Sequence, residues 1–451
     1  VTMKLLLVAY YFPPMGGAGV QRALKMAKYL PEFGVTPVVL AGHDPGYVAD
    51  ATLLAELPPG LAVHCVEHRS LLSRAAAWRA ARARPAPAAT APAAAAAAPP
   101  PAGHRTRDRL LAAYAALQFP DDKHGWARRA LAVGRRLVAE QRFDAILSTA
   151  PPMSTHGLAA RLAAESGLPW VADYRDLWVD NPGYTAPAWR HGIDRRTEDA
   201  WLARAAGVVA VTPTWRAMFA ARLGPGCPVA FIPNGYDEAD FAGIDTRPRA
   251  RDGVFRLVHT GTFYGPRDPG ALLEGVARHL AAAPPGAPAL KLRLVGNMGS
   301  RFDAAFAAFE ARWPGVVERV AYLPHHEALQ QMAEADALLL VVGGGRDAAR
   351  RAAVAGILPG KVFEYLRCGR PVLMLGDEQG DAAALVRRHA GGCVADETRP
   401  ERIAQALGAL VAGRGQAPEP GGRDDVGRFE RRALAGEMAQ FLDRCRSRPR
   451  G

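Results

Sequence analysis

The chain has 451 residues, 49% hydrophobic and 22% charged; this is enough apolar material for two or three domains with real cores, and no run approaches the roughly 18 apolar residues of a membrane-spanning helix. Its five cysteines (Cys65, Cys227, Cys368, Cys393 and Cys445) are scattered without metal-ligand spacing, which argues against a disulfide framework or a zinc module. The net charge is +12, so an anionic partner belongs among the expectations.

The opening Val1-Thr2-Met3-Lys4 runs into LLLVAYYF without the charged, apolar and cleavage segments of a leader, so a cytoplasmic protein is expected. An apolar strand over 5–9 leads into YYFPPMGGAGVQR. A helix follows with Val20, Ala23, Leu24, Ala27 and Leu30 on one face, Gly34 ends it, and TPVVLAG reads as the next strand. Strand, glycine-rich turn, helix and strand make a βαβ unit. Between Arg69 and Arg142 fourteen Lys or Arg stand against four Asp or Glu. That surplus reads either as a solvated arginine-rich face or as a surface for an anionic membrane, supported by Leu71, Leu72, Trp78, Leu110, Leu111 and Tyr114. Few aromatics interleave the charges and no binding module is recognisable, so no nucleic acid is expected. Within this stretch, residues 81–103 are Ala/Pro-rich and read as a disordered surface insertion. The pattern then resumes with strand FDAILSTA, helix PPMSTHGLAARLAAESG, strand LPWVADYRDLW entering a loop, a helix near 195–206, and strands GVVAVTP and VAFIPNG.

A second series begins at Phe255. Strands FRLVHTGTFYG, LKLRLVGN, VERVAYLP, ADALLLVVG, RPVLMLG and GGCVAD alternate with helices over 269–283, 300–313, 325–334, 358–368 and 380–390. Two doubly wound α/β sheets follow, a Rossmann-like domain over 1–236 and another over 255–424, with a polar linker over 237–254. The stripe Phe429, Leu434, Met438, Phe441 and Leu442 marks a helix over 425–446 that packs back on the body. Ligands of such folds bind at the carboxyl edges of the strands, and two facing domains would place a cleft there.

Two motifs carry chemistry. Gly16, Gly17 and Gly19 lie at a strand-to-helix turn, where backbone N–H groups and a helix N-terminus suit an anion, although glycines demanded by the turn alone would look the same. The spacing is not GxGxxG, and no acid closes the second strand as in dinucleotide binding. In PGKVFEYLRCGRPVLML, Pro359 and Gly360 open a helix, Lys361 lies in its first turn and Glu364 one turn later on the same face. Gly360 N–H, the helix dipole and Lys361 suit a diphosphate, and Glu364 suits a ribose diol. A helix with an ordinary surface lysine and acid is the other reading. Only six lysines accompany 50 arginines, which draws attention to Lys361 because a lysine does what the planar guanidinium cannot.

These motifs, with FIPNGYD, GTFYGPRDP, LRLVGN and ADALLLVV in that order, make the chain resemble retaining glycosyltransferases of family 4, which have the GT-B fold: two Rossmann-like domains facing each other across a cleft. The resemblance spans nearly the whole chain apart from the Ala/Pro insertion. It implies an N-terminal acceptor-binding half and a C-terminal half that binds a nucleoside-diphosphate sugar as co-substrate, without a further cofactor or a metal. Carried over, Glu364 holds the ribose and Lys361 with Arg267 the diphosphate. Gly261, Thr262 and Gly296 line the donor pocket, Tyr322 and Leu323 flank the base, and the loop with Gly16, Gly17 and Gly19 approaches the donor phosphate or the acceptor.

Two departures stand out. Family members usually carry two glutamates eight positions apart, and the earlier position here is Gly356. A histidine common after the strand WVADYRDLW is replaced by Arg175, flanked by Asp173 and Asp176. The arginine suits a leaving diphosphate and an acid suits the acceptor, with a structural Asp–Arg pair as the alternative. His124 and His156 are further polar candidates on the acceptor side. The resulting expectation is a retaining, metal-independent hexosyltransferase acting in cell-envelope polysaccharide or glycolipid synthesis, peripheral on the inner membrane face. Its acceptor is then a carbohydrate or lipid-linked; a small-molecule acceptor such as a soluble secondary metabolite, a sugar-nucleotide epimerase and a non-catalytic nucleotide-sugar binder are the rivals.

Overall fold

The computed structural model describes residues 2–68, 118–247, 252–263, 268–343, 353–413 and 426–447. Arg267 and most of the basic stretch, with its Ala/Pro segment, lie outside them. The chain divides into two compact units, one running to Pro233 and joined by the segment from Arg431 onward, the other spanning Asn234–Glu430. Residues 237–247, expected in a linker, therefore group with the second unit, and the C-terminal helix groups with the first.

In the first unit the order is β1 (Met3–Ala9), α1 (Ala18–Tyr29), β2 (Val35–His43), β3 (Ala62–Glu67), α2 (His124–Glu140), β4 (Ala145–Ala150), α3 (Ser154–Ser166), β5 (Trp170–Tyr174), α4 (Ala188–Leu202), β6 (Gly207–Ala210), α5 (Pro213–Leu223) and β7 (Val229–Phe231). The strands form one parallel sheet in the order β3-β2-β1-β4-β5-β6-β7. Successive side chains on a strand point to opposite faces. Leu6, Val8 and Tyr10 accordingly join one apolar layer and Met3, Leu5, Leu7 and Ala9 the other. A sheet covered on both faces explains why β1 is apolar from Leu5 to Ala9 rather than alternating.

The second unit contains β8 (Val254–Thr260), α6 (Gly270–Ala282), β9 (Ala289–Val295), α7 (Asp303–Arg312), β10 (Val317–Val320), α8 (His325–Ala333), β11 (Ala337–Gly343), α9 (Lys361–Cys368), β12 (Val372–Gly376), α10 (Asp381–His389), β13 (Cys393–Ala395) and α11 (Pro400–Ala412). Its parallel sheet runs β10-β9-β8-β11-β12-β13. On β11, Leu338, Leu340 and Val342 face one layer while Ala337, Leu339 and Val341 face the other. Each sheet reverses strand order beside its first strand, between β1 and β4 and between β8 and β11, and the carboxyl ends of strands at such a reversal are where doubly wound folds bind ligands.

The closing helix α12 (Arg431–Arg446) buries Leu434, Ala435, Met438, Phe441 and Leu442 in the first unit's core. Its seat is shaped by small residues: a methyl group at Gly207 would stand 2.5 Å from Cys445 Sγ, and one at Gly436 would stand 2.8 Å from the Phe33 ring. Helix α4 begins at Ala188, seven residues before the expected start. Its buried face carries Arg190, Asp194 and Glu198, so the hydrophobic period that marks a helix is missing there.

Candidate functional site

In the second unit the chain leaves β8 through Thr260 and Gly261, and Gly261 N–H donates to Val295 O at 2.8 Å. Gly261 has φ 129° and Gly296, at the end of β9, has φ 121°. A methyl group on Gly296 would stand 2.4 Å from Gly261 O, so the two turns nest in a way a side chain forbids. Helix α9 opens beside them. Lys361 Nζ donates to Thr260 O at 2.6 Å. Four residues on, Tyr365 OH accepts from Thr260 N–H at 3.2 Å and lies 3.3 Å from Leu339 O. Side chains at i and i+4 share a helix face, and here both grip Thr260, fixing the Gly261 turn. Burial pushes the Tyr365 hydroxyl up to about 12, so it remains protonated and able to donate.

Glu364 lies on the same helix, 19% exposed, and its Oε1 is 3.0 Å from Nε2 of His325 at the start of α8. Tyr322, three residues before His325, is 68% exposed, whereas Leu323 packs against the core. Lys361, Glu364, Gly360, Gly261, Thr262 and Gly296 thus belong to the second unit's sheet edge or to the helix beginning there. Gly356, the position of the absent glutamate, is buried in the turn that precedes α9.

The first unit arranges its sheet edge differently. Asp173 is buried and bound by Arg22, which donates to it at 2.8 and 2.7 Å and also to Pro233 O at 2.7 Å and Ile232 O at 2.9 Å. Asp173 is therefore buried and bound by Arg22 rather than open to an acceptor, because its strand position turns it inward. The Arg175 guanidinium donates to three backbone carbonyls, those of Ala150, Pro151 and Gly19. It fastens the glycine turn to the end of β4, and loss of hydration lowers its pKa. Asp176 is exposed, yet desolvation by the surrounding protein raises its carboxyl above the usual range.

Gly17, with φ 85°, is the N-cap of α1, and a methyl group at Gly19 would stand 3.4 Å from the Tyr11 ring. His124 is half-buried with Nδ1 3.0 Å from Asp121 O. His156 lies in the core, contrary to its expected acceptor-side role: Nδ1 is 2.7 Å from Ser148 Oγ, and the ring packs on Tyr174 at 4.5 Å between centroids. Helix α3 turns it inward, and burial drives its pKa down to about 3, so it is neutral.

Sequence reasoning passed over His325, Tyr365 and Arg22. Tyr365 was within reach, since it sits at i+4 from Lys361. His325 and Arg22 find their partners across 39 and 151 residues, and no local pattern announces such pairings.

Two doubly wound parallel sheets in one chain are the architecture of the GT-B fold, and the solved structures named below share it. The Glycosyltransferase Family 4 model matches residues 90–240, a segment match that supports glycosyltransferase activity. Among solved structures, Anabaena HepE in complex with UDP is 14% identical, with 98% of this chain and 100% of that chain covered at a TM-score of 0.58. Sucrose-phosphate synthase from Thermosynechococcus elongatus is 14% identical, with 98% of each chain covered, at 0.58. The lipopolysaccharide outer core galactosyltransferase WaaB is 13% identical, with 98% and 100% covered, at 0.57. No curated protein sequence matches the chain.

Proposed function

We propose that the protein transfers a sugar, with retention, from a nucleoside-diphosphate sugar to an acceptor hydroxyl in the making of a cell-envelope polysaccharide or glycolipid. The observation carrying this reading is the double hold of Lys361 and Tyr365 on Thr260, which sets an ammonium beside two glycine turns at the carboxyl edge of the second sheet. A diphosphate there gains the lysine charge and the N-terminus of α9. Glu364 takes the ribose hydroxyls, Tyr322 offers a ring to the base, and Arg267 adds charge to the leaving group. HepE was solved with UDP and with UDP-glucose, which supports UDP as the nucleotide here. The likeness to WaaB, a lipopolysaccharide outer core galactosyltransferase, supports an envelope acceptor here.

In the proposed step the bond from the anomeric carbon to the diphosphate oxygen breaks. The acceptor oxygen bonds to that carbon on the same face, and its proton passes to the departing phosphate. Lys361 stabilises the growing negative charge, so no metal is needed. On this reading Asp176 has the part of orienting the acceptor hydroxyl. Association with an anionic membrane surface through the basic stretch belongs to the same proposal; among the described residues no helix is long and apolar enough to cross a membrane.

Thermal unfolding with UDP, GDP and their sugars tests the donor site: a ligand at about 100 times its dissociation constant adds roughly 2.7 kcal/mol. The absence of stabilisation by any nucleotide overturns the reading. The buried glycine at 356 favours one rival, a nucleotide-sugar binder without turnover. Acceptor-dependent release of nucleotide separates transfer from both binding and epimerisation, and the anomeric configuration of the product decides retention. Salt-sensitive sedimentation with anionic vesicles is expected, and indifference to lipid charge removes the membrane role.

A further inference from the structure

We propose that His325 is a positioning residue that makes the protein select ribonucleotide over 2′-deoxyribonucleotide donors, an inference that rests on Glu364 binding the donor ribose. Helices α8 and α9 are locked through a shared apolar layer containing Leu329, Met332, Val362 and Leu366. Core packing therefore sets the backbone spacing between His325 and Glu364. Across that spacing Nε2 of His325 meets Oε1 of Glu364 at 3.0 Å, with the histidine 48% exposed and the glutamate 19% exposed.

The terminal torsion of a glutamate side chain is broad and two-fold, so packing of the methylene stem leaves the carboxylate plane loose. A hydrogen bond to one oxygen removes that freedom. With His325 on Oε1, and no hydrogen bond to Oε2 among the described residues, the second oxygen retains its acceptor capacity in a set orientation. A ribose presents two neighbouring hydroxyl donors, and a 2′-deoxyribose presents one. A carboxylate held in one plane distinguishes them because both bonds form without further ordering, whereas a rotating one must be ordered on binding. His325 need not touch the nucleotide; it acts through Glu364.

The test compares UDP with 2′-deoxy-UDP by calorimetry on the wild type, His325→Ala, His325→Gln and Glu364→Ala. Where another nucleoside diphosphate stabilises the protein and UDP does not, that nucleotide and its 2′-deoxy form serve instead. The wild type is expected to prefer the ribonucleotide. His325→Ala should reduce that preference by roughly five- to tenfold, chiefly by weakening the ribonucleotide. His325→Gln, which keeps an N–H donor, should restore much of it, and the melting temperature of unliganded His325→Ala should match the wild type. An unchanged preference in His325→Ala, with the preference lost in Glu364→Ala, overturns the role of His325 and leaves the ribose site standing. A wild type that does not discriminate, or a Glu364→Ala variant that still does, overturns the ribose site and this inference with it.

Discussion

The two sheet edges follow the same strand plan but use charge differently. In the first unit, charged groups brace backbone and one another. Arg22 closes on Asp173 and two carbonyls, and Arg175 ties the glycine turn to the end of β4. In the second unit the corresponding turn is held by the Tyr365 hydroxyl and the Lys361 ammonium, and the neighbouring carboxylate, Glu364, reaches solvent. Charge spent on a buried pair and on backbone carbonyls builds a scaffold, whereas a carboxylate that reaches solvent beside a glycine turn is available to a ligand. Removing a charge should therefore cost folding in the first unit and binding in the second.

The largest effect is expected from Arg22→Ala. It strands the Asp173 carboxylate, 2% exposed, without its partner, and breaking such a buried pair costs about 3–5 kcal/mol. Denaturant unfolding should show that loss while the folded fraction still binds nucleotide. A loss below about 1 kcal/mol would mean water replaces the arginine, and the scaffold reading of this edge would fail.

Next comes a pH effect confined to the first unit. His156 has a folded pKa of about 3, below its ordinary value of 6.5, because burial disfavours its charged form. Below pH 6.5 the unfolded chain takes up a proton that the folded chain refuses. This contribution to stability is whole above that pH and is lost as pH falls toward 3, at a limiting slope of about 1.4 kcal/mol per pH unit. Unfolding measured from pH 7 to 4 should show a steeper acid loss in the wild type than in His156→Phe. Parallel curves would mean that the ring is hydrated.

The fold was legible where apolar periodicity is strong. The βαβ opening, the central strands β8, β11 and β12 of the second unit and the helix after Gly360 all bury apolar faces. It failed where burial is polar or signals overlap. Helix α4 turns Arg190, Asp194 and Glu198 inward, satisfied by one another, Tyr184 and Arg222, so its first two turns look like loop. Helix α5 has a clear start, with Thr212 accepting from Trp215 N–H at 3.2 Å and Pro213 in first position, yet the Thr-Pro pair reads as the end of strand GVVAVTP. After Gly360, the shared helix face of Lys361 and Glu364 was legible because helical spacing is local. Arg175 was singled out for its charge, but its task of binding three carbonyls depends on where β4 and α1 end, which one-dimensional spacing does not carry.

Lys361 gives the sharpest test of the contrast on the ligand side. Loss of a charge-assisted hydrogen bond costs about 1.5–3 kcal/mol, so Lys361→Ala should weaken nucleoside-diphosphate binding roughly 10- to 100-fold. Its melting temperature without ligand should move little, because Tyr365 still holds Thr260. Lys361→Arg should not restore binding. A methyl group at Gly261 would already stand 2.8 Å from Nζ, and a planar guanidinium needs more width than the ammonium it replaces. Full affinity in either variant, measured by calorimetry, would move the diphosphate away from this turn.

The smallest effect separates a glycine kept for backbone shape from one kept for close approach. Gly17 has φ 85°, and a methyl group there would meet nothing nearer than Tyr47 OH at 3.8 Å, so there is room for a side chain and strain comes from the backbone alone. Gly17→Ala should cost about 1–2 kcal/mol and leave nucleotide affinity unchanged. Gly296, by contrast, has both a positive φ and a neighbouring carbonyl that a methyl group would approach to 2.4 Å. Gly296→Ala must shift the Gly261 turn, and should therefore lower nucleotide affinity along with stability. If Gly17→Ala instead reduces nucleotide affinity as much as Gly296→Ala does, the first unit's glycine turn is itself part of the donor site, and the division between a braced edge and a binding edge no longer holds.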